Sequence, residues 1–198
     1  MSETGSIKFK AEQETATLRK FPEFEELNRF RSKLRQLGWL GADENGISFG
    51  NLSVRDEGSQ QFYITGSGTA HKAELELMDY AKVLSWDPVQ NSLRCVGATV
   101  ASSESLTHAS IYEADSTIGA IIHGHCLSIW ARLLEEAPAT PATIEYGTPA
   151  MAHAVRHLFE KTDVSAKKAF AMAGHRGGVI FFGLDLKEAF SAAMSVAS

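Results

Sequence analysis

The chain has 198 residues, 22% of them charged and 44% apolar, with a formal net charge of −5. That length suffices for one domain with a substantial core. The acidic balance argues against a surface built for nucleic acid or an anionic membrane, and no apolar run approaches the roughly 20 residues that a bilayer span needs.

Met1 to Lys20 is polar and lacks periodicity, which predicts a flexible N-terminal arm over residues 1–20. Met1 to Lys10 holds no apolar signal core. A single domain is expected over 21–198. Pro22 opens a helix to about Leu37, because Phe24, Leu27, Phe30, Leu34 and Leu37 recur every three or four residues. Gly38 and Gly41 end it. Ile47 to Arg55 and Gln61 to Thr65 read as two strands around a turn at Asp56-Glu57-Gly58. Gly66-Ser67-Gly68-Thr69 follows as a hydroxyl-bearing loop. Tyr80 to Trp86 and Ser92 to Val96 form a second predicted hairpin, turning at Asp87-Pro88.

Ser102 or Ser103 caps a helix to about Ala114. Ile118 to His125 reads as a strand, and Ser128 to Glu136 as a helix. Pro138 to Pro141 is an expected loop, and Pro149 to Lys161 an expected helix. Lys168 to Met172 and Val179 to Phe182 read as strands flanking Gly174-His175-Arg176-Gly177-Gly178, and a last helix starts near Leu186. The mixture of hairpins and helices predicts a layered α/β or α+β domain with much antiparallel pairing.

Chemistry concentrates in His123-Gly124-His125. Side chains alternate along a strand, so both imidazoles share a face, roughly 6–7 Å apart at the Cβ atoms. Two imidazoles so placed can reach one metal ion. His175, in a glycine-rich turn, can add a third, and three protein ligands with an open position suit a catalytic divalent ion such as zinc. Glu104, at a helix start, is a candidate acid/base or metal-shell carboxylate. Ser67, Gly68, Ser102 and Ser103 offer hydroxyls and N–H groups for an anion, near a helix N-terminus with unpaired donors.

Five pieces, in order and spacing, resemble the class II aldolase/adducin family: Gly50-Asn51-Leu52-Ser53, Ile64-Thr65-Gly66-Ser67-Gly68, Ser102-Ser103-Glu104, His123-Gly124-His125, and Gly174-His175 with its following glycines. The resemblance runs from about residue 24 to 198. It implies a three-layer α/β/α sandwich around a largely antiparallel sheet, commonly assembled as a homotetramer with sites near subunit boundaries. It implies one divalent metal, most often zinc, on His123, His125 and His175, with Glu104 as acid/base. It implies substrate phosphate held by Asn51, Ser67, Gly68, Ser102 and Ser103. The implied activity is a lyase acting on a small sugar-phosphate or hydroxy-carbonyl substrate, the metal acting as a Lewis acid that stabilises an enediolate.

The chain departs from the pattern at several points. The family usually has proline where Gly66 and Ala101 stand, threonine or serine where Gly124 stands, and glycine where Arg176 stands. The connection from His125 to Thr148 is shorter than in the sugar-phosphate aldolases, where it carries a substrate-facing tyrosine; Tyr146 lies near its end here. Other readings on the same scaffold are a 4-epimerase-like or dehydratase-like enzyme, or an adducin-head-like interaction protein without catalysis. Glu104 leans towards the aldolase, since 4-epimerase relatives tend to carry aspartate there. His153 and His157 share a helix face and read as surface or interface residues. His108, one helical turn after Glu104, reads as packing or as orienting that carboxylate. Cys95 and Cys126 read as buried thiols, and two cysteines without a disulfide framework predict a reducing cytoplasm.

Overall fold

The computed structural model describes residues 7–197. The first half of the chain contains β1 (Lys10–Glu14), α1 (Phe24–Gln36), β2 (Gly41–Ala42), β3 (Ser48–Phe49), β4 (Asn51–Arg55), β5 (Phe62–Thr65), β6 (Tyr80–Asp87) and β7 (Ser92–Val96). The second half contains α2 (Ser105–Ala114), β8 (Ala120–His125), α3 (Leu127–Glu136), β9 (Ala139–Thr140), α4 (Pro149–Lys161), α5 (Val164–Lys167), β10 (Ala169–Met172), β11 (Gly178–Gly183) and α6 (Leu186–Ala197). A nine-stranded sheet runs β1-β7-β6-β5-β4-β8-β11-β10-β9. The β1/β7 and β9/β10 pairs are parallel, and the other neighbours are antiparallel. The sheet is thus mixed and largely antiparallel, with helices packed against it.

The two-residue period of the strands separates two hydrophobic clusters. Ile64, Val83, Ile121 and Ile180 pack with Leu106 and Tyr112 of α2 and with Val155 and Leu158 of α4. Leu52, Ile122 and Phe181 pack with Leu27 and Leu34 of α1, Leu133 of α3 and Ala189 of α6. Each such Leu or Ile contributes about 1.5–3 kcal/mol by leaving water. Among the described residues no helix is long and apolar enough to cross a membrane.

Several elements differ from the sequence expectation. Within the segment expected to be a flexible arm, Lys10–Glu14 form β1 along β7, and Leu18 is buried in the core; residues 1–6 lie outside the described residues. The strand read from Ile47 to Arg55 is broken at Gly50, whose φ is +80°. A Cβ there would lie 2.3 Å from Leu40 Cδ2 and 2.9 Å from the Trp39 carbonyl oxygen, so only glycine fits the bend. The expected loop at 138–141 contains β9, and α5 had no periodic signal because it is four residues long.

Arg31 links the frame to the site. It is 1% exposed, and its guanidinium donates to the carbonyls of Thr69, Ala70, Lys72 and Ala73 at 2.6–3.3 Å. A single α1 side chain thereby holds the loop that follows Ser67 and Gly68. Arg31→Met keeps the stem but orphans these acceptors, so urea unfolding should report a loss of about 2–4 kcal/mol. An unchanged midpoint would mean that water replaces the guanidinium at no cost.

Candidate metal centre

β8 lies between β4 and β11, with His123 opposite Asn51 on one side and Ile180 on the other. His123 and His125 therefore share the face of Ile121, on the side of α2. The end of β8 is held by the His125 N–H, which donates to the Trp39 carbonyl at 2.9 Å. His175 comes from the turn between β10 and β11, closed by His175 N–H to Met172 O at 2.9 Å and Gly178 N–H to His175 O at 2.8 Å. Glycine is needed at position 174 because a Cβ would lie 2.2 Å from the Ile144 carbonyl oxygen. That close approach brings the 142–146 segment against the turn.

The three imidazoles converge. Ring centroids are 5.0 Å apart for His123 and His125, 4.6 Å for His125 and His175, and 5.5 Å for His123 and His175. One ring nitrogen from each lies within 4.8 Å of the others. The Nε2 atoms of His125 and His175 face each other at 2.9 Å. Burial disfavours the charged imidazolium. It brings His125 down to about 4 and His175 down to about 3, and holds His123 well below the ordinary histidine range. All three are thus neutral at neutral pH, the state that a metal ligand requires.

The donor set fits a divalent ion. His123 Nε2 and Asn51 Oδ1 are both buried without hydrogen-bond partners, while Asn51 Nδ2 lies 3.2 Å from His123 Nδ1. Turned over about its terminal bond, the amide would accept the Nδ1 proton through Oδ1. That leaves the Nε2 lone pair for a metal, with the ring fixed from behind.

Glu104 is 2% exposed at the start of α2. Its Oε2 accepts from Thr107 Oγ1 at 2.7 Å. Its Oε1 has no hydrogen-bond partner and lies 3.8 Å from His175 Nε2. Burial, opposed in part by the Thr107 hydrogen bond, pushes this carboxyl up to about 7. A group poised there can both hold and release a proton at neutral pH. A bridge between Gly66 and Ala101, together with Ser67 N–H to Val100 O at 2.9 Å, joins the Ser67-Gly68 loop to the Ser102-Ser103 segment.

All nine residues given metal, acid/base or anion-binding roles in the sequence line one pocket: Asn51, Ser67, Gly68, Ser102, Ser103, Glu104, His123, His125 and His175. Tyr146, to which the sequence assigned no role, lines it too, its ring 4.6 Å from that of His175. Thr107 was also missed, although its i+3 spacing from Glu104 was a usable signal. His108 bonds away from Glu104: its Nδ1 lies 2.7 Å from Ser53 Oγ, which is 2.8 Å from Tyr112 OH. His153 and His157 are exposed, as expected. Cys95 is buried, but Cys126 is only partly covered, correcting the expectation of two buried thiols.

Comparisons with known proteins bear on the family and the fold. The sequence profile described as Class II Aldolase and Adducin N-terminal domain matches residues 33–198. No curated protein sequence matches the chain significantly. Among solved structures, an L-fuculose 1-phosphate aldolase superposes with a TM-score of 0.69 at 23% identity, covering 92% of this chain and 84% of that one. The L-fuculose-1-phosphate aldolase from Thermus thermophilus gives a TM-score of 0.62 at 22% identity, over 87% of this chain and 88% of that one. A sugar-phosphate aldolase from Thermotoga maritima gives 0.63 at 17% identity, over 87% and 89%. At these identities the likeness to solved structures is one of fold, whereas the profile spans most of the sequence: the chain belongs to the class II aldolase/adducin family.

Proposed function

We propose that this protein is a divalent-metal-dependent lyase that cleaves a carbon–carbon bond in a small sugar-phosphate or hydroxy-carbonyl substrate. The observation that carries this reading is the convergence of three neutral imidazoles beside a buried carboxyl, whose Oε1 is unpaired and 3.8 Å from His175. His123, His125 and His175 would hold the ion, which we take to be zinc because three imidazoles with an open position suit it. Bound there, it would supply Lewis-acid polarisation of a substrate carbonyl. Glu104 would take the proton released from the hydroxyl on the aldehyde side and return it to the carbon that keeps the bond electrons. Thr107 would fix the carboxyl through Oε2, leaving Oε1 directed at the substrate.

The phosphate or other anionic end would sit among Asn51, Ser67, Gly68, Ser102 and Ser103. Among the described residues no lysine or arginine lines this pocket, so backbone N–H groups and hydroxyls at the start of α2 would neutralise the charge. The two core clusters on opposite faces of the sheet support a three-layer α/β/α arrangement. Family membership supports a homotetramer, and the unpaired cysteines support the cytoplasm.

Purified protein should carry about one divalent ion per chain, as three histidine donors with an open position imply. His123→Ala and His175→Ala should each lose most of it. Glu104→Gln should retain metal and fold while turnover falls by about 10²–10⁴-fold. Metal loss in Glu104→Gln equal to that in His175→Ala would make Glu104 a ligand; full turnover would make it a helix-start carboxylate alone. Light scattering should give the mass of four chains, and a fully active monomer would contradict a shared site.

A further inference from the structure

The segment just before β1 brings Lys8 against Tyr146, which lines the pocket. Its backbone is anchored: Asn91 Nδ2 donates to the Lys8 carbonyl at 2.7 Å, and Lys10 N–H donates to the Asn91 carbonyl at 2.8 Å. Its stem packs on Gly147, where a Cβ would lie 3.6 Å from Lys8 Cβ and 3.2 Å from the Ser103 carbonyl oxygen. The ammonium donates to Glu145 Oε2 at 2.9 Å and sits 4.0 Å from the centroid of the Tyr146 ring. Tyr146, 4% exposed, in turn lies 4.6 Å from the His175 ring, tilted by 44°. Cation, phenol ring and imidazole make one continuous row of contacts. Lys8 is itself largely covered, its side chain 17% exposed, while that of Glu145 is 61% exposed. The ion pair at so open a carboxylate adds little on its own, whereas the cation over a buried ring acts on a desolvated partner.

We propose that Lys8 is a positioning residue that clamps the 145–147 segment, so that the face of Tyr146 sets the orientation of the His175 ring. His175 meets His125 on one side and Tyr146 on another, and ligand orientation is ordinarily supplied by groups behind the ligand. The Lys8 charge also acts on Glu104 and His175 in the direction that lowers both, behind the larger influence of burial. The consequence for metal affinity rests on His175 being a ligand; the clamp itself does not.

Two measurements on the full chain separate these claims. In the metal-free protein, the His175 ring resonances (assigned by their loss in His175→Asn) carry the ring-current shift of Tyr146. Lys8→Met should move them towards their positions in Tyr146→Leu, and Lys8→Arg, which keeps a cation over the ring, should leave them where they are. In a Co²⁺ titration followed by visible absorption, Lys8→Met should weaken affinity by about 10-fold, the low end for loss of a group behind a ligand, with Lys8→Arg restoring it. Unmoved His175 resonances in Lys8→Met overturn the proposal. Moved resonances with no Co²⁺ uptake by the unaltered protein uphold the clamp and overturn the metal reading. Unmoved resonances, with Co²⁺ affinity equal in Lys8→Met, Lys8→Arg and the unaltered protein but lost in His175→Asn, do the reverse.

Discussion

The register of β8 between β4 and β11 is the constraint on which the site depends. It sets Asn51 opposite His123 and Gly178 opposite His125. A slip of one residue would turn both histidines into the cluster of Leu52, Ile122 and Phe181 and face Ile122 towards the pocket. The apolar residues of β8 prevent that slip, because Ile121 and Ile122 each match a core on their own side. Packing on two faces thus specifies where the histidines of the proposed metal site stand.

Electrostatics follow from the same burial. The sheet, α2 and the 142–146 segment exclude water from the imidazoles, which keeps them neutral, and from Glu104, which raises it to about 7. Among the described residues the pocket lining contributes no fixed positive charge. Lys8 does not line the pocket but stands over the Tyr146 ring, which does. His123 Nε2 and Glu104 Oε1 are buried without a hydrogen-bond partner, a cost that a bound group would relieve. Both residues line the pocket in which the catalytic role is proposed.

Much of this was legible because the signals are local. The His-x-His pair needs only the strand period, and α4 was bounded correctly by Pro149 and its apolar spacing. Glu104 and the paired serines announced a helix start, but the N-cap is Glu104, without a side-chain cap hydrogen bond, and not Ser102 or Ser103 as expected. What was not legible depends on distant partners. Lys10–Glu14 reads Lys-Ala-Glu-Gln-Glu, with poor strand propensity, and becomes a strand by pairing with β7. The break at Gly50 is imposed by Leu40 and Trp39. The meeting of Lys8, Tyr146 and His175 joins three distant stretches of chain, and no spacing rule could have found it.

The central claim is that His123, His125 and His175 bind one ion through neutral imidazoles, leaving a position open beside Glu104. Anomalous diffraction from crystals grown with zinc tests it most directly. The account predicts a single strong peak per chain, about 2.0–2.1 Å from one ring nitrogen of each histidine, with Glu104 outside bonding distance. A peak elsewhere, no peak at full zinc loading, or a carboxylate oxygen of Glu104 in the first shell of a closed four-ligand site would contradict it.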